Sequence, residues 1–132
     1  MKIVIDSNIF VSSFFWGGNP RKIFDRVIDG LDELFISDEL LKEILEVMLR
    51  KKFNLELQKA IDYVNIIEQY SFKIIPNNVS EVISRDKDDN KIINCGIMGK
   101  VDCIISGDKD LLILKEYNGI KIMNPKSYLD SL

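Results

Sequence analysis

The chain has 132 residues, 46% hydrophobic and 30% charged, with a formal net charge of −3. That size and balance fit a single globular domain spanning residues 1–132, large enough to bury a core without disulfide staples. The sequence holds no histidine, which removes imidazole as a general base, a nucleophile's partner or a zinc ligand, so hydrolytic chemistry here must run on carboxylates and a metal ion.

Lys2–Ile5 reads as a first strand, an apolar run ending in Asp6-Ser7-Asn8. Ile9–Trp16 is apolar and aromatic, a short helix or turn broken by Gly17-Gly18. Its Phe14, Phe15 and Trp16 read first as core and second as a base-stacking surface. Asn19-Pro20 opens a helix, Asn as its cap and Pro in its first turn. Ile23, Phe24, Val27 and Ile28 form the apolar face of that helix, and Gly30 ends it. Glu33–Ile36 is a short second strand. Ser37 caps the next helix, with Asp38 and Glu39 in its first turn. Leu40, Leu41, Ile44, Leu45 and Met48 are its buried stripe, and Glu43 lies beside that stripe.

Arg50-Lys51-Lys52 either answers this helix's C-terminal dipole or meets phosphate. Arg21, Lys22 and Arg26 form a similar group on the preceding helix. Asn54–Tyr70 is a helix following Leu57, Ile61, Val64 and Ile67. Phe72–Ile75 is a third strand stopped by Pro76, and the polar stretch Asn77–Lys87 is a loop. A helix starts near Asp88 or Asp89, carries Ile92, Ile93 and Ile97, and ends at Gly99. Asp102–Ser106 is the fourth strand, Asp110–Glu116 a short helix ending at Asn118-Gly119, and Ile120–Met123 the fifth strand. Asn124-Pro125 starts a last short helix.

Strands alternating with helices predict an α/β fold, a three-layer α/β/α sandwich around a central, mainly parallel five-stranded sheet. Cys95 and Cys103 lack CxxC spacing and read as buried small hydrophobes. No run approaches the ~20 apolar residues of a membrane span and no signal-peptide pattern is present, so a cytoplasmic protein without a membrane partner is expected.

Two strands end in acids, Asp6 after the first and Asp108, with Asp110, after the fourth. The C-terminal edge of an α/β sheet is where ligands collect, and converging carboxylates call for a cation. Each acid also has an ordinary role open to it: Asp6 and Asp108 as helix caps, Asp110 as a first-turn acid. Asp86, Asp88 and Asp89 cluster at a helix start, where Asp is common, and Glu43 by composition is a surface residue. EF-hand, dinucleotide-binding and phosphate-loop patterns are all absent. The acidic balance does not exclude nucleic acid, because a bound divalent ion reverses the local field.

Four stretches together resemble the PIN-domain proteins, in particular the VapC-like group of toxin–antitoxin nucleases. They are Ile3-Val4-Ile5-Asp6-Ser7-Asn8, the run from Ser37 to Val47, the run from Arg85 to Ile92, and the run from Asp102 to Leu112. The resemblance places the family's four acids at Asp6, Glu43, Asp89 and Asp108, and its supporting polar residues at Asn8 and Ser106. Asp88 competes with Asp89 for the third place, and Asp110 with Asp108 for direct contact with the metal. Ser7 stands where Thr is usual, and Gly96 where Ala is preferred. The resemblance implies a PIN-like fold and a Mg²⁺- or Mn²⁺-dependent endoribonuclease. It also implies RNA as substrate, a cognate antitoxin covering the acidic groove, and a homodimer. Two rivals are a catalytically silent PIN-fold module that binds RNA or protein, and an Asp-nucleophile phosphatase. Asn8 argues against the latter, since such enzymes generally place a second acid there.

Overall fold

The computed structural model describes residues 1–75 and 87–132, and of residues 87–89 the backbone alone. Its elements run β1 (Lys2–Ile5), α1 (Ser7–Phe15), α2 (Gly18–Ile28), β2 (Glu33–Ile36), α3 (Asp38–Met48), a 3-10 turn (Lys51–Phe53), α4 (Leu57–Gln69), β3 (Ser71–Lys73), α5 (Lys87–Gly99), β4 (Cys103–Ile105), α6 (Lys109–Leu112), β5 (Glu116–Tyr117), β6 (Ile120–Met123) and α7 (Pro125–Asp130). The strands form one sheet in the order β3-β2-β1-β4-β6-β5, parallel except where β5 meets β6.

Among the described residues the sheet thus has six strands, one more than the sequence suggested. Asn118-Gly119, expected to end a helix, instead turns a hairpin between Tyr117 and Ile120 with φ of 50° and 83° at the two central residues. Two positive φ angles make a type I′ turn, for which Asn-Gly is the favoured pair. The helix expected over Asp110–Glu116 accordingly shortens to α6, four residues long.

Residues Ile3, Val4 and Ile5 of β1 and all three of β4 are at most 2% exposed. Side chains alternate between faces along a strand, so uninterrupted burial means both faces are covered. Helix α5 packs on β1, β2 and β4; α1 packs on α2 and α3, α3 on α4, and α2 on α7. Cys95 and Cys103 are free thiols inside this core, and burial pushes both to about 12.

Local chemistry explains most element ends. Ser37 accepts from the Leu40 amide and Asn124 from the Ser127 amide, each as an N-cap. Asn19 does not cap α2: Gly17, at φ 75° and ψ −121°, takes the position, and Asn19 and Pro20 fall inside the first turn. Val47 occupies the buried stripe of α3 where Leu45 was expected, and α4 buries Ala60, Tyr63 and Ile67 while Leu57 stays exposed. Strand β3 starts one residue and ends two residues earlier than expected; Phe72 within it and Ile75 beyond it are exposed. The stop at Pro76 and the loop over 77–86 lie outside the described residues. Asp32 is buried beneath Arg26 Nε at 2.9 Å and the N-terminal ammonium at 3.1 Å, pinning the end of α2 to the start of β1. Among the described residues no helix is long and apolar enough to cross a membrane.

From β1 the chain moves to β2 and β3 on one side, then returns to place β4 and β6 on the other. The connections therefore diverge between β1 and β4, and the crevice at the carboxyl ends of those two strands is where an open α/β sheet binds ligands.

Candidate metal centre

Register sets the site. Ile5 of β1 pairs with Ile105 of β4, so Asp6 and Ser106 leave the sheet side by side. The Asp6 amide donates to the Ile105 carbonyl at 2.9 Å, extending the ladder one step past β1. Asp6 occupies the N-cap position of α1, yet its side chain makes no capping bond. Instead Oδ2 accepts from the Ser106 hydroxyl at 2.7 Å and Oδ1 from the Ser7 hydroxyl at 3.3 Å. Capping, its ordinary alternative role, is therefore excluded by the geometry.

Asp108 does both jobs. Its Oδ1 accepts from the Asp110 amide at 2.8 Å, capping α6, while its own amide donates to Ser106 Oγ at 3.0 Å. The Ser106 hydroxyl thus links the two acids, donating to one and accepting from the other's backbone. Burial pushes the Asp6 carboxyl above the usual carboxylate range; the Ser106 and Ser7 hydroxyls pull it part of the way back, and the charge of Asp108 adds to the rise. Asp6 is 5% exposed, and among the described residues the donors to its oxygens are uncharged: the Ser106 and Ser7 hydroxyls and the Ser7 backbone.

A buried carboxylate that feels the charge of a second carboxylate and is held by hydroxyls offers hard, oxygen-only donors. Its excess negative charge fits a divalent cation such as Mg²⁺ or Mn²⁺. Ser and amide donors occupy one lone pair on each of three oxygens and leave capacity for a ligand.

Glu43 is half-buried on α3, with Oε2 hidden from solvent. It lines a cleft of about 260 Å³ with Glu39, Lys42, Glu46, Val47, Arg50 and Lys91. Lys91 belongs to α5, so Glu43 faces the helix that carries Asp89 and does not point away from the fold. Among the described residues, however, no three acidic side chains gather closely enough to hold an ion. The side chains of Asp88 and Asp89, and all of Asp86, lie outside the described residues. Asn8 is exposed in the first turn of α1, and Asp110 is half-buried in that of α6.

The structure therefore joins Asp6, Ser106 and Asp108 through hydrogen bonds and sets Glu43 in a cleft whose lining includes none of the three. Of the cationic rim of that cleft, Arg50 was already a phosphate-contact alternative in the sequence, whereas Lys42 and Lys91 were passed over. Their one signal is spacing, Lys42 beside Glu43 and Lys91 two residues after Asp89, and lysine on a helix surface is too common to stand out.

A family model described as PIN domain matches residues 2–110. No curated protein matches the chain. Among solved structures, the fold is similar to a chain of VapBC2 from Rickettsia felis, crystallised bound to a DNA fragment from their promoter. The TM-score there is 0.66, with 12% identity, 94% of this chain and 98% of that chain covered. It is also similar to a chain of VapBC-1 from nontypeable Haemophilus influenzae, with a TM-score of 0.64, 14% identity, and 96% and 99% coverage.

Proposed function

The chain belongs to the PIN-domain family, and from that premise we propose that it is a divalent-metal-dependent endoribonuclease, the toxin of a toxin–antitoxin pair. The observation that carries the metal-dependent reading is the buried Asp6 carboxylate, joined through Ser106 to Asp108 at the crevice between the two central strands. A carboxylate kept from water without a charge partner costs stability, and a site that tolerates such a cost is a functional candidate.

In this reading Asp6, Asp89 and Asp108 hold the ion, and Glu43 either joins them or positions the attacking water. When bound, Mg²⁺ or Mn²⁺ lowers the pKa of a water and offsets the charge that develops on the phosphate. Ser106 fixes the Asp6 carboxylate and the backbone at Asp108, while Asn8 and Asp110 orient the surrounding oxygens. The Lys42, Arg50 and Lys91 rim offers positive charge to the phosphates flanking the scissile bond. The toxin reading, with a cognate antitoxin over the acidic groove, draws on the sequence resemblance to VapC-like nucleases and on the VapBC names of both structural relatives. A homodimer follows from the same resemblance.

The test is cleavage of structured RNA by the purified protein and by Asp6→Asn, each with Mn²⁺ and with EDTA. Cutting by the parent in Mn²⁺ alone is the expected result. Equal cleavage under all conditions, or none under any, overturns the proposal, and RNA binding without cleavage would mark a silent module of the same fold.

A further inference from the structure

Beyond the end of α1, three aromatic rings and three cations share one patch of surface. Phe53, in the turn after α3, stacks on Phe15 with ring centres 4.4 Å apart and planes 12° from parallel. Trp16 meets Phe53 at 6.0 Å and Phe15 at 5.7 Å, and Lys52 Nζ lies 5.0 Å from the centre of the Phe53 ring. Trp16 is nevertheless 70% exposed. The two phenylalanines brace it from one side, and most of its indole remains in water, an arrangement that contributes little to the core.

Arg50, Lys51 and Lys52 are exposed beside these rings. None of the three is in an ion pair among the described residues, whereas Arg21, Arg26, Lys73 and Lys126 all are. Arg50 also lines the Glu43 cleft, so positive charge continues from the acid side of the molecule to the aromatic patch. Helix α1 links the patch to Asp6: nine residues at about 1.5 Å each span roughly 14 Å.

We propose that Trp16, braced by Phe15 and Phe53, stacks a base of single-stranded RNA whose backbone runs along Arg50, Lys51 and Lys52 toward Asp6. The inference rests on the nuclease reading and adds a substrate platform to it. Interleaved rings and cations without an ion pair among the described residues match the two faces of a nucleic-acid strand, since every base offers a π-surface and every phosphate a charge. An apolar protein segment would leave the three cations unanswered.

Trp16 is the chain's one tryptophan, so its emission reports this patch alone. The full chain in EDTA, where nothing is cut, is titrated with a short oligouridine and with an abasic strand of equal length. Oligouridine is expected to quench the indole, while the abasic strand binds more weakly and leaves the emission unchanged. By anisotropy of a labelled strand, Trp16→Ala loses about 5- to 150-fold in affinity and Trp16→Phe much less, with unchanged circular dichroism for both. Lys51→Gln with Lys52→Gln weakens both strands and flattens the salt dependence. Equal quenching by both strands, or unchanged affinity in Trp16→Ala, overturns the platform. That result, beside intact Mn²⁺-dependent cleavage, leaves the nuclease reading standing; quenching without cleavage does the reverse.

Discussion

Asp6 ionises in a place from which water has been removed, and the consequence has a definite sign. Below the ordinary carboxyl value of 3.8, folded and unfolded chains are both protonated and burial costs nothing. Between that value and the raised one the unfolded chain loses its proton first, so stability falls as pH rises, and above the window the penalty is complete. Asp6→Asn should therefore melt at a higher temperature than the parent in EDTA at neutral pH, the gap closing as pH falls toward 3.8, while losing cleavage. A melting temperature equal to or below the parent's would sink this account. Ser106→Ala removes the hydroxyl shared by the two acids and should lower activity or apparent metal affinity about 10- to 100-fold, read by Mn²⁺ titration of cleavage. The strand-end position of Asp6 and Asp108 was legible from the sequence, because an apolar run ending in an acid has few other meanings in an α/β chain. That Asp6 does not cap α1 while Asp108 does cap α6 was not legible. The choice depends on Ser106 arriving from 100 residues away.

The β5–β6 hairpin and the α5–β4 contact show what local pattern leaves out. Asn118-Gly119 is the strongest short hairpin signal a sequence offers, but only two residues of strand precede it, and the apolar residues upstream suited a helix equally well. At Gly119 an added Cβ meets nothing within 4 Å, so Gly119→Ala should cost about 1–2 kcal/mol for its positive φ alone, by urea denaturation. Gly96 is the opposite case. Its helix would gain about 1 kcal/mol from Ala, yet a Cβ there would sit 3.0 Å from Ile104 Cδ1 and 3.3 Å from Val101 Cγ2. Overpacking of about 1–3 kcal/mol outweighs the gain, so Gly96→Ala should destabilise, and adding Ile104→Val should recover most of the loss. Strands and helices with strong periods were legible at nearly their true bounds. The face that α4 buries was not, because its neighbours α3 and β3 decide it.

The whole molecule places a negative pair inside an acidic chain, so its stability should respond to cations more than to salt. Mn²⁺ should raise the melting temperature of the parent at constant ionic strength, and Asp6→Asn and Asp108→Asn should each lose that rise; an equal rise in all three would mean the ion binds elsewhere. The sheet order also has a consequence in time. Asp6 follows β1, and the Ser106 hydroxyl that orients it follows β4, paired directly beside β1 but made 100 residues later. A ribosome adding roughly 5–20 residues per second leaves Asp6 without its partner for about 5–20 s. Throughout that interval the nascent chain carries one acid of the pair with only the adjacent Ser7 hydroxyl to hold it, and a product truncated before Ser106 never carries the other.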